Sequence, residues 1–138
     1  MRLVLDTNVV VSALLWNGVP LRLVSAGRFE GVVLYSSSPL VAELADVLSR
    51  PKFTNKVAAS LLTVDQLVDL YAELVALVRP SPTARLAPDP DDDVVIGTAR
   101  AARADYVVTG DKGLLSVGTY EGGRIVTVSE ALELIQVG

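Results

Sequence analysis

The sequence predicts an α/β fold, a central parallel sheet with helices on both faces. Three observations lead there. The runs Leu3-Val4-Leu5, Val32-Val33-Leu34-Tyr35 and Tyr106-Val107-Val108 are apolar at successive positions, as strands covered on both faces must be. Helix-start and helix-stop residues separate these runs, and alternation of strand and helix is what a parallel sheet requires. A chain of 138 residues, 51% hydrophobic and without an internal repeat, suits one domain with a sizeable core.

The elements follow in order. Residues 2–5 read as a strand. Thr7 is placed to cap a first helix carrying Val9, Val10, Ala13 and Leu14, which Asn17-Gly18 would stop. Pro20 suits the opening of a short second helix, with Gly27 as its C-terminal stop. Residues 31–36 read as the second strand. Ser38 is expected to cap a third helix with Pro39 at its first position and Pro51 at its end. Thr63-Val64-Asp65-Gln66 has the form of a capping box and predicts a long amphipathic helix through about Val78. Residues 80–90 are rich in proline and predict a loop, with a short strand near Leu77 to Arg79. A helix is expected from about Asp92 to Arg103, a strand at 105–109 and a helical turn from Lys112 to Val117. A last strand at 124–128 and a helix beginning at Ser129 and Glu130 complete the chain.

Composition narrows the function. No apolar run reaches the ~18 residues needed to cross a bilayer, and Asp6 and Asn8 interrupt any N-terminal leader, so a cytoplasmic protein is expected. Without cysteine there are neither disulfides nor thiolate metal sites. The net charge of −4 argues against a nucleic-acid partner. That objection shrinks once four acids are assigned to a metal site, since 12 acids then stand against 12 bases.

Those four acids carry the chemistry. Asp6 follows the first apolar run, and Asp111 follows the third after Thr109-Gly110. Asp93 closes the tract Asp89-Pro90-Asp91-Asp92-Asp93, and Glu43 sits in the helix after the second run. In an open parallel sheet, sites form beyond the carboxyl ends of the strands. Two charges at ~4 Å repel by roughly 4 kcal/mol at an effective dielectric near 20. The chain has no histidine and no cysteine, so the natural neutraliser is a hard cation such as Mg²⁺ or Mn²⁺. Such a cluster points to metal-assisted hydrolysis of a phosphodiester. Asn8, Thr7 and Thr109 are placed to orient the acids. Gly110 permits close backbone approach, and Lys112 and Arg100 are candidates for phosphate contact. Taken singly, each acid also reads as a cap or a solvated loop residue; their joint order is what singles them out.

The string Leu3-Val4-Leu5-Asp6-Thr7-Asn8 resembles the opening of PIN-domain ribonucleases. So do Asp93-Val94-Val95-Ile96-Gly97-Thr98-Ala99 and Thr109-Gly110-Asp111-Lys112, with Glu43 at the family's middle acidic position. The resemblance spans nearly the whole chain and is nearest to VapC-like toxins of toxin–antitoxin pairs. It implies a three-layer α/β/α sandwich and Mg²⁺- or Mn²⁺-dependent endonuclease action on RNA. It also implies a homodimer and a small antitoxin partner. Asp6, Glu43, Asp93 and Asp111 would be the acidic quartet, with Asn8 and Thr109 as polar supports. Asp92 is the first rival to Asp93, ahead of Asp89 and Asp91, and Asp46 is placed to assist Glu43.

Other readings compete. An aspartate-nucleophile phosphatase would want an acid two residues after Asp6, where this chain has Asn8. A non-catalytic scaffold binding RNA or protein has no need of all four acids. Trp16 reads as a core-edge aromatic or an exposed partner patch. The apolar stripe Leu67, Leu70, Tyr71, Leu74 and Leu77 reads as core, with a partner groove if Val64, Val68 and Val75 are exposed. The basic residues Arg50, Lys52 and Lys56 read as solvent-facing or as tracking RNA.

Overall fold

The computed structural model describes residues 1–16, 19–26, 31–82 and 90–137. Among these, the strands are β1 (Arg2–Leu5), β2 (Val33–Ser36), β3 (Val75–Leu77), β4 (Tyr106–Val108), β5 (Thr119–Tyr120) and β6 (Gly123–Val126). They form one sheet in the order β3-β2-β1-β4-β6-β5. All pairings are parallel except β5 with β6, which is antiparallel. The helices are α1 (Thr7–Leu15), α2 (Val19–Ala26), α3 (Ser38–Leu48), α4 (Thr54–Ala59), α5 (Val64–Leu74), α6 (Pro90–Ala102), α7 (Lys112–Val117) and α8 (Val128–Val137).

The sheet divides two cores. Leu3 and Leu5 of β1 face one side, against Val10 of α1, Leu23 of α2, Leu44 and Leu48 of α3, Leu67 of α5 and Ala131 of α8. Val4, between them, faces the other side with Val95, Ile96 and Ala99 of α6 and Leu114 of α7. Alternate residues of one strand thus feed opposite layers, which is the period-two geometry of a three-layer α/β/α sandwich. Leu40, near the start of α3, belongs to the second core, whereas Leu44 and Leu48 belong to the first. The start of α3 therefore reaches over the strand ends to α6.

Several expectations are corrected. Asp6, not Thr7, caps α1, accepting a hydrogen bond from the Thr7 amide. Ser37 rather than Ser38 is the N-cap of α3, which ends at Leu48, and Pro51 opens a 3-10 turn, Pro51–Phe53. The capping box at Thr63 and Gln66 forms as expected. However, α5 stops at Leu74, because Val75, Ala76 and Leu77 pair with Leu34, Tyr35 and Ser36. The apolar stripe continues in phase across that boundary, so periodicity could not mark it; pairing overrides it. Leu70 and Leu77 are exposed, whereas Val64, Val68 and Val75 are half-buried against the core. α4 and the short β5 had no sequence signal. The expected stops at Asn17-Gly18 and Gly27 lie outside the described residues.

At Gly97 packing requires the absence of a side chain. The segment after β3 crosses α6 there, with the Ser81 amide donating to the Gly97 carbonyl at 2.9 Å. A Cβ at Gly97 would stand 2.5 Å from the Ser81 carbonyl oxygen. Helix propensity favours Ala over Gly by about 1 kcal/mol, but forced overpacking costs about 1–3 kcal/mol. Gly97→Ala is therefore expected to lower stability by about 1 kcal/mol, read as a fall in denaturant midpoint at unchanged slope.

Tyr71 on α5 shows the reverse case. It is buried in the first core, and its hydroxyl lacks a hydrogen-bond partner among the described residues. Burial pushes its phenol pKa well above the ordinary value of 10.0. A buried unsatisfied hydroxyl costs about 1–3 kcal/mol. Tyr71→Phe is expected to raise stability by about 1 kcal/mol, against the usual direction for core substitutions, and the same denaturant titration reads it.

Candidate active site

The parallel pairing of β1 with β4 places Leu5 beside Val108, and the chain continues in step beyond both strands. The Asp6 amide donates to the Val108 carbonyl at 2.9 Å, and the Thr109 amide to the Val126 carbonyl at 3.0 Å. Residues 103 positions apart thereby become neighbours. The Thr109 hydroxyl donates to Asp6 Oδ2 at 2.7 Å and accepts from the Asp111 amide at 3.0 Å. Asp6 Oδ1 accepts from the Thr7 amide at 2.8 Å. Asp111 caps α7, its Oδ2 accepting from the Leu114 amide at 2.8 Å. Each aspartate is thus oriented by a helix start, where backbone amides and the helix dipole favour an anion.

Glu43 joins from α3. The Thr7 hydroxyl donates to Glu43 Oε2 at 3.0 Å. Thr7 therefore serves two acids, Asp6 through its amide and Glu43 through its hydroxyl. Asn8, one residue on, is exposed beside this network. Asp93 lies near the start of α6, half-buried, as does Asp92. The cleft lined by both Glu43 of α3 and Val94 of α6 shows that these two helices meet at the same edge. Asp89 lies outside the described residues, as does the side chain of Asp91. Asp46 forms an ion pair with Arg50 at 3.3 Å, one turn beyond Glu43.

Burial makes this edge electrostatically costly. Asp6 is 6% exposed, and Thr7 and Thr109 are buried with it. Desolvation raises the Asp6 pKa above its ordinary 3.8, the hydrogen bonds from Thr109 and Thr7 act against that, and the charge of Asp111 raises it further. Ordinary burial and a like-charged neighbour both oppose ionisation. Among the described residues no three acids are spaced to hold one ion as they stand. The donor chemistry nevertheless fits a hard cation. The donors are oxygens only, two of them on aspartates that repel each other at a buried edge, with hydroxyls holding the carboxylates in place.

Sequence reasoning missed one pair. Ser37 and Thr98 are fully buried, and their hydroxyls lie 2.9 Å apart. The Thr98 hydroxyl also donates to the Val94 carbonyl at 2.8 Å. This pair ties the start of α3 to the turn of α6 next to Asp93. A threonine inside an otherwise apolar helix face was the available signal. Arg100 is corrected as a phosphate contact. Its guanidinium donates to Glu121 at 2.9 Å and to the Pro82 carbonyl. Glu121 lies in the turn between β5 and β6, before the start of β6, whereas Asp6 follows the end of β1, so the two stand at opposite ends of the parallel strands. Lys112 opens α7 beside Asp111 and is exposed. Trp16 is 41% exposed, edge-on to Phe53, with Lys56 over its ring and Lys52 over that of Phe53.

Among the described residues no helix is long and apolar enough to cross a membrane. The family profile of the PIN domain matches residues 2–113. No curated protein sequence matches the chain. Among solved structures, the fold is similar to that in the crystal structure of VapBC2 from Rickettsia felis bound to a DNA fragment from their promoter. The TM-score is 0.62 and the identity 15%, over 92% of this chain and 98% of that one.

Proposed function

The chain belongs to the PIN-domain family, whose members are generally nucleases that use divalent metal ions, and on that footing we propose that it is a Mg²⁺- or Mn²⁺-dependent endoribonuclease, acting as the toxin of a toxin–antitoxin pair. The observation that carries the activity is the Asp6–Thr109–Asp111 hydrogen-bonded unit at a buried sheet edge, with Glu43 attached through Thr7. An acid pair held together against its own repulsion is what a cation site needs and what a plain helix cap does not. The toxin assignment, with a small antitoxin and a homodimer, rests on the family and on the likeness to the VapBC2 fold.

In this reading Asp6, Glu43, Asp93 and Asp111 hold the metal. A bound Mg²⁺ or Mn²⁺ supplies Lewis acidity toward water and toward the leaving oxygen of the phosphodiester. The chain's own part is positional. Thr109 keeps Asp6 and Asp111 in register, and Thr7 keeps Glu43 against Asp6. Burial of Asp6 excludes water from one side of the site and strengthens each charge–charge interaction there. Lys112, beside Asp111, is placed to meet a backbone phosphate.

The test is cleavage of a mixed single-stranded RNA with Mn²⁺, with Mg²⁺ and with EDTA, alongside Asp93→Asn. Cutting is expected with either metal and not with EDTA or with the variant. The absence of both cutting and metal binding would overturn the nuclease reading in favour of a scaffold. Cutting by Asp93→Asn at the wild-type rate would remove Asp93 from the quartet and turn attention to Asp92.

A further inference from the structure

Beside the acidic edge, α3 and the start of α6 enclose a cleft of about 260 Å³, lined by Pro39, Leu40, Glu43, Asp46, Arg50 and Val94. We infer that this cleft is a nucleobase subsite that reads guanine, with Asp46 and Arg50 as the reading pair. Its link to cleavage rests on the nuclease reading above; its binding chemistry does not.

The cleft has two unlike walls. Pro39, Leu40 and Val94 offer an aliphatic surface against which the flat face of a base can lie. Glu43, Asp46 and Arg50 form the polar wall. Glu43 and Asp46 stand at i and i+3 of α3 and so share one helix face; Arg50 follows just past the C-cap Ser49, in extended backbone, and lines the same cleft. At 1.5 Å per residue, Asp46 lies about 4.5 Å along the axis from Glu43, and Arg50 is held beside it by the ion pair. A phosphate held at the cation site that Glu43 would help form would thus place a neighbouring base within reach of both.

The pair itself selects the base. Asp46 and Arg50 are joined at 3.3 Å, with side chains 74% and 52% exposed. So open an ion pair adds little stability, and its hydrogen-bonding groups face solvent. A carboxylate accepts best from two adjacent donors. Guanine has such a pair, N1–H and the 2-amino group, whereas adenine and cytosine offer one amino group each. A guanidinium donates to O6 and N7 of guanine as a fork. The pair is neutral as a whole, so it adds no net charge to repel a phosphate at the acidic edge. Guanine presents its two edges to the two groups at once, so binding exchanges the exposed Asp46–Arg50 contact for hydrogen bonds to one base.

The experiment is titration of metal-free protein with GMP, AMP, CMP and UMP up to millimolar concentration, followed by NMR shifts of α3 and α6 amides. Wild-type protein is expected to bind GMP at least tenfold more tightly than the other three. Asp46→Asn and Arg50→Gln, both at exposed positions, are each expected to remove that preference. Equal affinity for the four, no binding at millimolar concentration, or a GMP preference that survives both substitutions would overturn the inference. Sequenced RNA ends from the cleavage reaction separate the two readings. Guanine enriched at one fixed distance from the cut supports both. A GMP preference in a chain that cuts no RNA keeps the subsite and removes the nuclease.

Discussion

Asp6→Asn is expected to yield a folded chain that gains no stability from Mn²⁺ and cuts RNA at least about a hundredfold more slowly. A hundredfold loss is already the upper scale for partners that merely orient metal ligands. Asn keeps the shape of the side chain and remains a good helix cap. Its carbonyl can still accept from the Thr7 amide, and its amide can donate to the Thr109 hydroxyl. What disappears is the charge. In the wild type, metal at a hundredfold excess over its Kd stabilises the fold by about 2.7 kcal/mol, and that increment should vanish in the variant. Retention of the Mn²⁺ shift in Asp6→Asn would place the metal elsewhere.

The same substitution has a pH signature in the metal-free protein. The folded-state pKa of Asp6 is raised above 3.8, chiefly by burial. The folded chain therefore holds that proton more tightly than the unfolded chain does. The resulting stabilisation is complete below 3.8 and is lost as pH rises through the folded pKa. Glu130 works in the opposite sense. Its carboxylate is held below 4.5 by hydrogen bonds from Thr127, so its contribution is present above 4.5 and lost as pH falls. A single melting curve mixes the two; the difference between wild type and Asp6→Asn isolates Asp6. The stability of the variant relative to wild type should decline as pH is lowered from 7 toward 4. A difference independent of pH would show that Asp6 carries no buried charge.

Much of this edge was legible in the residues. An apolar run followed at once by Asp6, and another followed by Thr109-Gly110-Asp111, marked both strand ends, because a buried strand that runs into a carboxylate has few alternatives. Parallel alternation then made their meeting an expectation, which the β1–β4 register bears out. What could not be read was the wiring. Thr7 looked like a helix cap, yet the cap is Asp6, and the Thr7 hydroxyl goes to Glu43. Asp and Thr are both good N-caps, so the pattern alone leaves the choice to the tertiary neighbour. The end of α5 was hidden for a similar reason, since Val75 and Leu77 suit a helix stripe and a strand equally well. Arg100 was misplaced because residues seven apart on α6 lie at opposite ends of the sheet, a distance that a linear motif does not show.

Thr98→Val is the second large effect expected, on both stability and metal binding. Valine matches threonine in shape, so the cavity term is small and the lost hydroxyl dominates. Thr98 donates to the Val94 carbonyl and shares a hydrogen bond with Ser37, and both residues are fully buried. Removing one partner strands the other, at about 1–3 kcal/mol. The loss should extend to function, because the pair fixes the turn of α6 that adjoins Asp93 against the N-cap of α3, the helix that carries Glu43. Mn²⁺ affinity is therefore expected to fall about tenfold or more, as it does when groups supporting metal ligands are removed. Thr98→Ser, which keeps the hydroxyl, should restore the affinity even if its smaller side chain costs some stability. A purely structural role would lower the melting temperature of Thr98→Val and leave the Mn²⁺ Kd of the folded fraction unchanged. The two measurements on the two variants thus separate a hydroxyl that holds the fold from one that holds the acids in place.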